Sequence, residues 1–383
     1  MSALRHQKLP GDTNPKYMRI AAVLREKILS GQYAPGHRLP SESALVKSYG
    51  VSRPTAGRAL RDLADAGLVE RRAGAGSFVA SQPKAVTGRP TLGILMPQWE
   101  STEIFEKICG QLASLARAHG IDIAWSKASP PNLSPGARIK DESEQAERMC
   151  SDYIERRMAG VFFAPLELSK TQSEVNHRIV SRLTEAGIAI VLVDRDIEKY
   201  PQRSGFDLAS MDNFAAGYKI ASHLLLLGCR RIAFFTKPYS ASTVAARIAG
   251  MREAMARANA ETRGDVIEGN PADAKFVRSV FARKKWDACI CANDRTAAQL
   301  LQSLIKLGIR VPGDLRVAGF DDAKYATLVA VPLTTIHQPG DEVAALAFEA
   351  MMRRINNPLA PACAFLATPR LVVRESCGTY LPR

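Results

Sequence analysis

Apolar residues follow two regimes along the chain. Between 15 and 80 they recur every three or four positions in short stretches. From 91 onward they gather in compact runs separated by longer amphipathic segments. In the first regime Tyr17, Ile20, Ala21, Leu24 and Ile28 share one face of a helix predicted over 15–30. Two shorter helices follow, joined by a tight turn at Gly50. Ser41 and Ser52 stand at N-cap positions, Pro54 is tolerated in a first helical turn, and Gly67 stands where a glycine closes a helix. The last helix, about 53–66, lines up Ala56, Ala59, Leu60 and Leu63 as its buried stripe. A two-stranded ribbon turning at Gly74 and Gly76 completes a winged helix-turn-helix over 15–80. Residues 1–14 are polar and read as disordered, and 81–90 (SQPKAVTGRP) reads as a linker broken by Pro and Gly.

In the second regime strands are predicted at 91–96, 121–125, 160–164, 188–193, 231–235, 264–267, 287–291 and 315–319. Each is followed by a helical stretch, such as 104–119, 213–227 or 295–307. This alternation predicts α/β architecture with parallel strands covered on both faces by helices. Periodicity alone leaves a closed barrel open as an alternative.

Charge sharpens the division. The net charge is +14, and residues 1–90 hold 15 Lys+Arg against 6 Asp+Glu, while the rest holds 37 against 32. The basic excess therefore sits on the helix-turn-helix, as phosphate neutralisation requires. Cysteines at 109, 150, 229, 289, 291, 363 and 377 show no C-x-x-C spacing, which points to a reducing cytoplasm without a disulfide framework. Cys289 and Cys291, two apart on one strand, read as small core residues. No metal site is expected and no cofactor. The N-terminus lacks the apolar core of a signal peptide and no apolar run is long enough to span a membrane, so neither export nor membrane insertion is expected. There is no nucleophile elbow and no phosphate-cradling GxxxxGK[ST], and the six histidines lack metal spacing, so no catalytic set is expected.

On the second face of the 53–66 helix stand Thr55, Arg58 and Arg61, with Arg53 at its tip and Arg71 and Arg72 on the wing. Such a helix suits a major groove, where guanidinium takes phosphates or the O6/N7 edge of guanine. A solvated basic face is the bland alternative for an arginine row alone. The runs LPSES, YGVSRPTAGRAL and GLVERRAGAGSFV, within 17–80, resemble the winged-helix domain of the gluconate-repressor (GntR) family of bacterial regulators. With the helix face and wing read above, this makes Ser41, Ser52, Arg53, Thr55, Arg58, Arg61, Arg71, Arg72 and Gly74 the expected DNA contacts. Two family arginines are missing here, at Ser43 and Gly57. Arg58 faces about 100° away from Gly57 and does not replace the second.

The motifs LGILMP, GVFFAP, VLVDR, HLLLLGCRRIAFF, ARIAGMREAM, CANDRTAAQLL, VPGDLRVAGFDD and VPLTTIHQP, in this order, resemble the sensor domain of lactose/galactose-repressor (LacI/GalR) regulators, itself similar to periplasmic sugar-binding proteins. The resemblance implies two Rossmann-like subdomains flanking a cleft, one of about 91–208 and 338–358 and the other of about 209–337 and 359–383. The lactose-type headpiece and hinge helix are replaced by the winged helix, an arrangement that resembles arabinose-responsive repressors.

Ligands of parallel sheets sit beyond the strand carboxyl ends. There stand Asp194 and Arg195, Asn293 and Asp321, with Arg247 on a following helix. Asn and Asp at such junctions commonly cap helices, but convergence at facing sheet edges points to a ligand. The resemblance implies that Arg247, Asn293 and Asp321 hydrogen-bond an effector, and bidentate Arg and Asp suit vicinal hydroxyls. Trp99 and Phe105 offer aromatic faces to a sugar or are ordinary core. The position after HQP is Gly340, where some members of the resembled family place an aromatic wall, so the resemblance predicts a roomier pocket there. His223 and His337 read as structural.

The expectation is a cytoplasmic, nucleoid-associated bacterial repressor. It binds a pseudo-palindromic operator in double-stranded DNA as a homodimer and is released by a small-molecule effector, a pentose or related sugar. An activator with the same parts is an alternative. A winged-helix enzyme holding pyridoxal phosphate is a rival of another class, opposed by the absence of a strand-end lysine with suitable partners.

Overall fold

The computed structural model describes residues 16–29, 32–65, 68–72, 75–79, 90–97, 103–125, 138–260, 264–281 and 285–380. It divides into two compact units, Met1–Arg89 and Pro90–Arg383. The predicted disordered N-terminus, the linker over 81–89, and Gly67, Gly74 and Trp99 lie outside the described residues.

In the first unit α1 (Lys16–Leu29), α2 (Glu42–Tyr49) and α3 (Arg53–Asp65) precede an antiparallel ribbon of β1 (Val69–Arg72) and β2 (Gly76–Val79). The predicted stripes meet in one core: Ile20 and Leu24 of α1 and Ala56, Ala59, Leu60 and Leu63 of α3 are buried with Leu45, Val69 and Val79. Ser41 caps α2 by accepting from the amide of Ala44 at 3.2 Å, and Gly50 ends it in the left-handed region at φ 60°. Gly76 begins β2 at φ +113°, and Arg38 occupies the space where a side chain at that position would stand. The positive φ is what requires glycine there.

The second unit holds two six-stranded sheets. Sheet one has the order β13-β7-β6-β5-β3-β4, built from β3 (Thr91–Leu95), β4 (Asp122–Trp125), β5 (Gly160–Phe163), β6 (Ala189–Val193), β7 (Asp207–Met211) and β13 (Ala364–Ala367), all parallel. Sheet two has the order β14-β12-β11-β10-β8-β9, from β8 (Ile232–Thr236), β9 (Asp265–Glu268), β10 (Ala288–Cys291), β11 (Arg316–Asp321), β12 (Thr334–His337) and an antiparallel edge strand β14 (Arg370–Val372). Each sheet has a separate apolar core on either face, so these are doubly wound open sheets and not a barrel. Helices α4 (Glu103–Ala118), α5 (Arg138–Glu155), α6 (Gln172–Glu185) and α11 (Gly340–Asn356) belong with sheet one. With sheet two go α7 (Asn213–Leu226), α8 (Ser242–Arg257), α9 (Ala274–Phe281) and α10 (Asp294–Lys306).

The chain crosses between the lobes after β7, after β12, and between β13 and β14. The last crossing is a correction: it was expected near 359, but β13 pairs in parallel with β7, so 364–367 belongs to lobe one. Asp207, fully buried at the start of β7, explains why the chain stays in lobe one after α11. It accepts from Arg353 at 3.2 Å, from Arg354 at 2.8 Å and from the backbone N–H of Cys363 at 2.7 Å, so charge holds the segment between α11 and β13 on lobe one.

Candidate functional site

On the winged helix the predicted basic residues are present on the surface, and several already have partners. Glu42, at the first turn of α2, pairs with Arg71 at 2.9 Å and lies 3.6 Å from the Arg53 Nε. It also fills the space in front of Gly57, where a Cβ would sit 3.2 Å from its carboxylate. Arg72 pairs with Glu70 at 2.9 Å and stacks 4.8 Å from the ring of Phe78. The Arg58 guanidinium lies 4.0 Å from the ring centre of Tyr17, a cation–π contact that holds it against α1. Arg61 is exposed and Thr55 half-buried. Ser52 caps α3: its hydroxyl is 2.8 Å from that of Thr55 and 3.4 Å from the Thr55 amide. Ser41 and Ser52 thus both act as caps, which leaves a phosphate role to add to a structural one. Sequence reasoning missed Arg38, exposed beside the wing and bridged to Phe78, although HRLPSES carried it.

In the second unit the strand ends of both sheets converge on a group of charges. Asp194 and Asp321, each just past or at the end of a parallel strand, adopt positive φ, 70° and 116°. Non-glycine residues are held there only where the surroundings over-determine them, often at ligand sites. Arg195 is buried and pairs with Glu167 and, at 3.0 Å, with Asp194. Burial lowers its proton affinity, but the two carboxylates outweigh that and raise it. Arg247 is buried in lobe two, where it donates to Asn213 Oδ1 at 2.8 Å and to the Ala292 carbonyl at 2.6 Å and lies 4.4 Å from the Phe320 ring. Burial lowers its proton affinity, opposed by Asp321, Asp194 and Glu167.

Two glycines fix where Arg247 starts. A Cβ on Gly217 would collide with the carbonyl of Arg247, and one on Gly250 with the carbonyl of Phe214. Helices α7 and α8 therefore pack backbone to backbone at this point, and the Arg247 side chain leaves from a rigid crossing.

Asp321 accepts from Gln338 at 2.7 Å, and its carboxyl is pushed up to about 7 by burial, with Arg247 pulling it down and Asp194 adding to the rise. Beneath it Asp294 is fully buried, accepting from the Thr335 hydroxyl at 2.7 Å and from the Ala323 amide at 3.0 Å. Burial, then Asp321, push Asp294 well above the carboxylate range. Asn293 caps α10 through its Oδ1, 2.8 Å from the Thr296 amide, so its NH₂ is the group left for a ligand. His337 donates from Nδ1 to the Asp322 carboxylate, 2.9 Å away, in keeping with a structural role, and His223 lies 3.4 Å from Cys377 Sγ.

Two expectations need correction. Phe105 is core, 3% exposed, and the Arg195 guanidinium lies 5.5 Å from its ring, leaving about 10 Å³ free there, so its face is covered in this conformation. Gly340 does not enlarge the pocket, because a Cβ there would meet Lys107 and Ile104 of α4 and point away from open space. Free space lies instead beside the hinge strands, where about 200 Å³ is walled by Tyr200, Leu208, Phe214 and Leu366 and reaches Asp194, Arg195 and Asn213. A larger hollow of about 530 Å³ between Pro312, Pro332, Arg374 and Tyr380 includes none of the predicted residues. Glu167, Asn213, Asp294 and Gln338 were missed. All four stand at strand ends or helix starts, and Gln338 lay inside the IHQP motif.

A basic winged helix joined to a hinged, two-lobed receptor with buried arginines defines a ligand-responsive DNA-binding regulator. Residues 16–79 match the gntR family of bacterial regulatory proteins, and residues 221–377 match a periplasmic binding protein-like domain. The chain is 31% identical over 234 residues, 59% of its length, to the HTH-type transcriptional repressor PurR of Vibrio campbellii, covering 67% of that protein. It is 26% identical over 375 residues to the arabinose metabolism transcriptional repressor of Geobacillus stearothermophilus, covering 95% of this chain and 98% of the relative. A transcriptional regulator CelR–cellobiose complex shares the fold with a TM-score of 0.61 at 19% identity, over 95% of this chain and all of that one. The chain belongs to the family of bacterial transcriptional repressors with a periplasmic-binding-protein-like sensor domain, and carries a gntR-type winged helix ahead of it. Among the described residues no helix is long and apolar enough to cross a membrane.

Proposed function

We propose that the second unit binds a small sugar, a pentose or a close relative, and that binding releases a homodimer from a pseudo-palindromic operator on the bacterial nucleoid. The observation that carries this reading is the convergence on one cleft of two guanidiniums and two carboxylates, with Asp194, Arg195 and Asp321 at facing strand ends and Arg247 on α8. Such groups make paired hydrogen bonds to adjacent hydroxyls, which suits a polyol. Two copies related by a two-fold axis place two α3 helices in successive major grooves, about one helical turn apart. Sugar binding changes the population of the closed cleft and thereby the spacing of the readers, and a coupling of about 1–3 kcal/mol changes operator affinity by roughly 5–150-fold. The relative named for arabinose metabolism supports the sugar class. In this reading Arg53, Thr55, Arg58, Arg61, Arg71 and Arg72 face DNA, and no catalytic step is involved.

The test joins two measurements on the full chain. A thermal-shift screen of pentoses and hexoses is expected to give one sugar that raises the melting temperature, since a ligand that binds only the folded state stabilises it. In a gel-shift titration on the promoter of its own operon, that sugar is expected to weaken binding. A protein that ignores duplex DNA at low salt would remove the operator reading.

A further inference from the structure

We infer that Glu167 is the positioning residue that couples the effector arginine of lobe one to closure of lobe two. The inference rests on the cleft being the effector site. Glu167 follows β5 on lobe one, and its two carboxylate oxygens serve different lobes. One pairs with Arg195 of its own lobe. The other accepts the backbone N–H of Ala241 of lobe two at 3.2 Å. Ala241 immediately precedes α8, the helix that carries Arg247. A single side chain thus links one buried arginine to the start of the helix bearing the other.

The contacts around it form a clasp. Leu168 donates its amide to the Tyr239 carbonyl at 2.8 Å, and the Ser242 hydroxyl donates to the Asp196 carbonyl at 3.2 Å. Leu168 and Tyr239 both sit at positive φ, 63° and 60°, so the two loops meet in conformations that non-glycine residues avoid. Elsewhere along the interface Glu103 accepts the Lys324 amide at 2.9 Å. The Leu168–Tyr239 bond is backbone to backbone and indifferent to what Arg195 does. Glu167 is different, because the Arg195 guanidinium sets where its carboxylate lies, and with it whether the other oxygen reaches the Ala241 amide. The Arg195 side chain is 7% exposed and that of Glu167 20%, so the pair is screened far less than a surface pair.

The consequence follows from linkage. If only closed lobes hold the effector tightly, apparent affinity is the intrinsic affinity scaled by the closed fraction. Glu167 raises that fraction before any effector arrives. Its loss lowers the fraction at rest and shifts the binding midpoint, while saturating effector still closes the cleft.

The experiment uses the full chain as wild type, Glu167→Gln and Glu167→Ala, with L-arabinose and D-ribose as probes. Without sugar, hydrogen exchange over 239–246 is expected to be fastest in the Ala variant, with Gln intermediate because it keeps an acceptor for the Ala241 amide but loses the ion pair. With a sugar that shifts the wild type, the midpoint is expected to rise about 10-fold in the Ala variant, within the usual range of coupling, at an unchanged saturating response. A merely structural residue would lower the saturating response or the melting temperature without moving exchange at the clasp. Unchanged exchange over 239–246 in both variants, or an unchanged midpoint, overturns the proposal. If neither sugar shifts the wild type, the pentose reading fails instead, and the sugar-free exchange still decides whether Glu167 holds the lobes together.

Discussion

The two units use the same residue, arginine, in opposite ways. In the winged helix Arg53, Arg71 and Arg72 have side chains 77%, 42% and 53% exposed and reach partners across solvent. In the sensor Arg195 and Arg247 are buried and each is held by several groups. Exposed pairs are worth little and are easily exchanged, which suits the proposed role of leaving a glutamate for a phosphate. Buried guanidiniums are expensive to leave unpaired, so they fix a geometry before the ligand arrives. The reader is built from replaceable contacts and the sensor from fixed ones.

The largest effect is therefore expected in the sensor. Arg247→Ala removes bonds to Asn213 and Ala292 and leaves Asp321 without its nearest cation. Charge-assisted bonds are worth about 1.5–3 kcal/mol each, so sugar affinity should fall on the order of 100-fold or more. Calorimetry should show no sugar binding, while operator affinity in a gel shift stays at the wild-type value. Retained sugar binding would place the effector elsewhere, with the 200 Å³ hinge cavity as the next location to probe.

A smaller effect is expected on the reader. Arg58→Ala should weaken operator binding by about 1–3 kcal/mol if the guanidinium leaves Tyr17 to read a base. The loss should be specific to the operator. An equal loss on random duplex, with a shallower salt dependence, would assign Arg58 to a phosphate, and no loss at all would remove it from the interface.

How much of this was legible in the sequence follows the same division. The helix stripes of the winged helix and the apolar strands β3, β5, β6, β8 and β10 were readable because burial on a fixed period leaves a pattern. The strands β7, β12, β13 and β14 were not, because DLASM, TTIH, AFLA and RLV are short and polar or alternate weakly. What holds β7 and β13 together is Asp207 meeting Arg353 and Arg354 from distant positions, and no local pattern encodes that. Within the site, Asp194, Arg195 and Asp321 could be named from strand ends, and Arg247 from the resemblance carried by ARIAGMREAM. Glu167 and Asn213 could not, since their importance lies in what they touch across the lobes and helices.

The raised carboxyl of Asp321 gives a prediction intermediate in size. A carboxyl whose folded value lies near 7, above its unfolded value, favours folding when protonated, so its contribution is present in acid and is lost as pH rises through about 7. Asp321→Asn should raise the melting temperature at pH 8 and change it little at pH 4. Sugar affinity should run the other way in the wild type, increasing from pH 6 to 8 as the carboxylate becomes a double acceptor. A wild-type binding curve flat across that range would mean that Asp321 does not meet the sugar as an anion.

The smallest effect tests the reader's exchangeable contacts. Glu42 holds Arg71 at 2.9 Å and stands 3.6 Å from Arg53, occupying the space before Gly57. If it merely parks these arginines, Glu42→Gln frees them. The expected gain in affinity for any duplex is about 0.5 kcal/mol, the scale of an exposed ion pair, and melting temperature should hardly move. The gain should also be insensitive to sequence, because phosphates carry no base identity. The opposite outcome is equally informative. A glutamate in a major groove can accept from the amino group of cytosine, so a loss confined to the operator would make Glu42 a base reader in the place the missing arginine at Gly57 leaves open. In that case the exposed unit also contains one fixed contact, and the contrast between replaceable and fixed arginines would hold for cations alone.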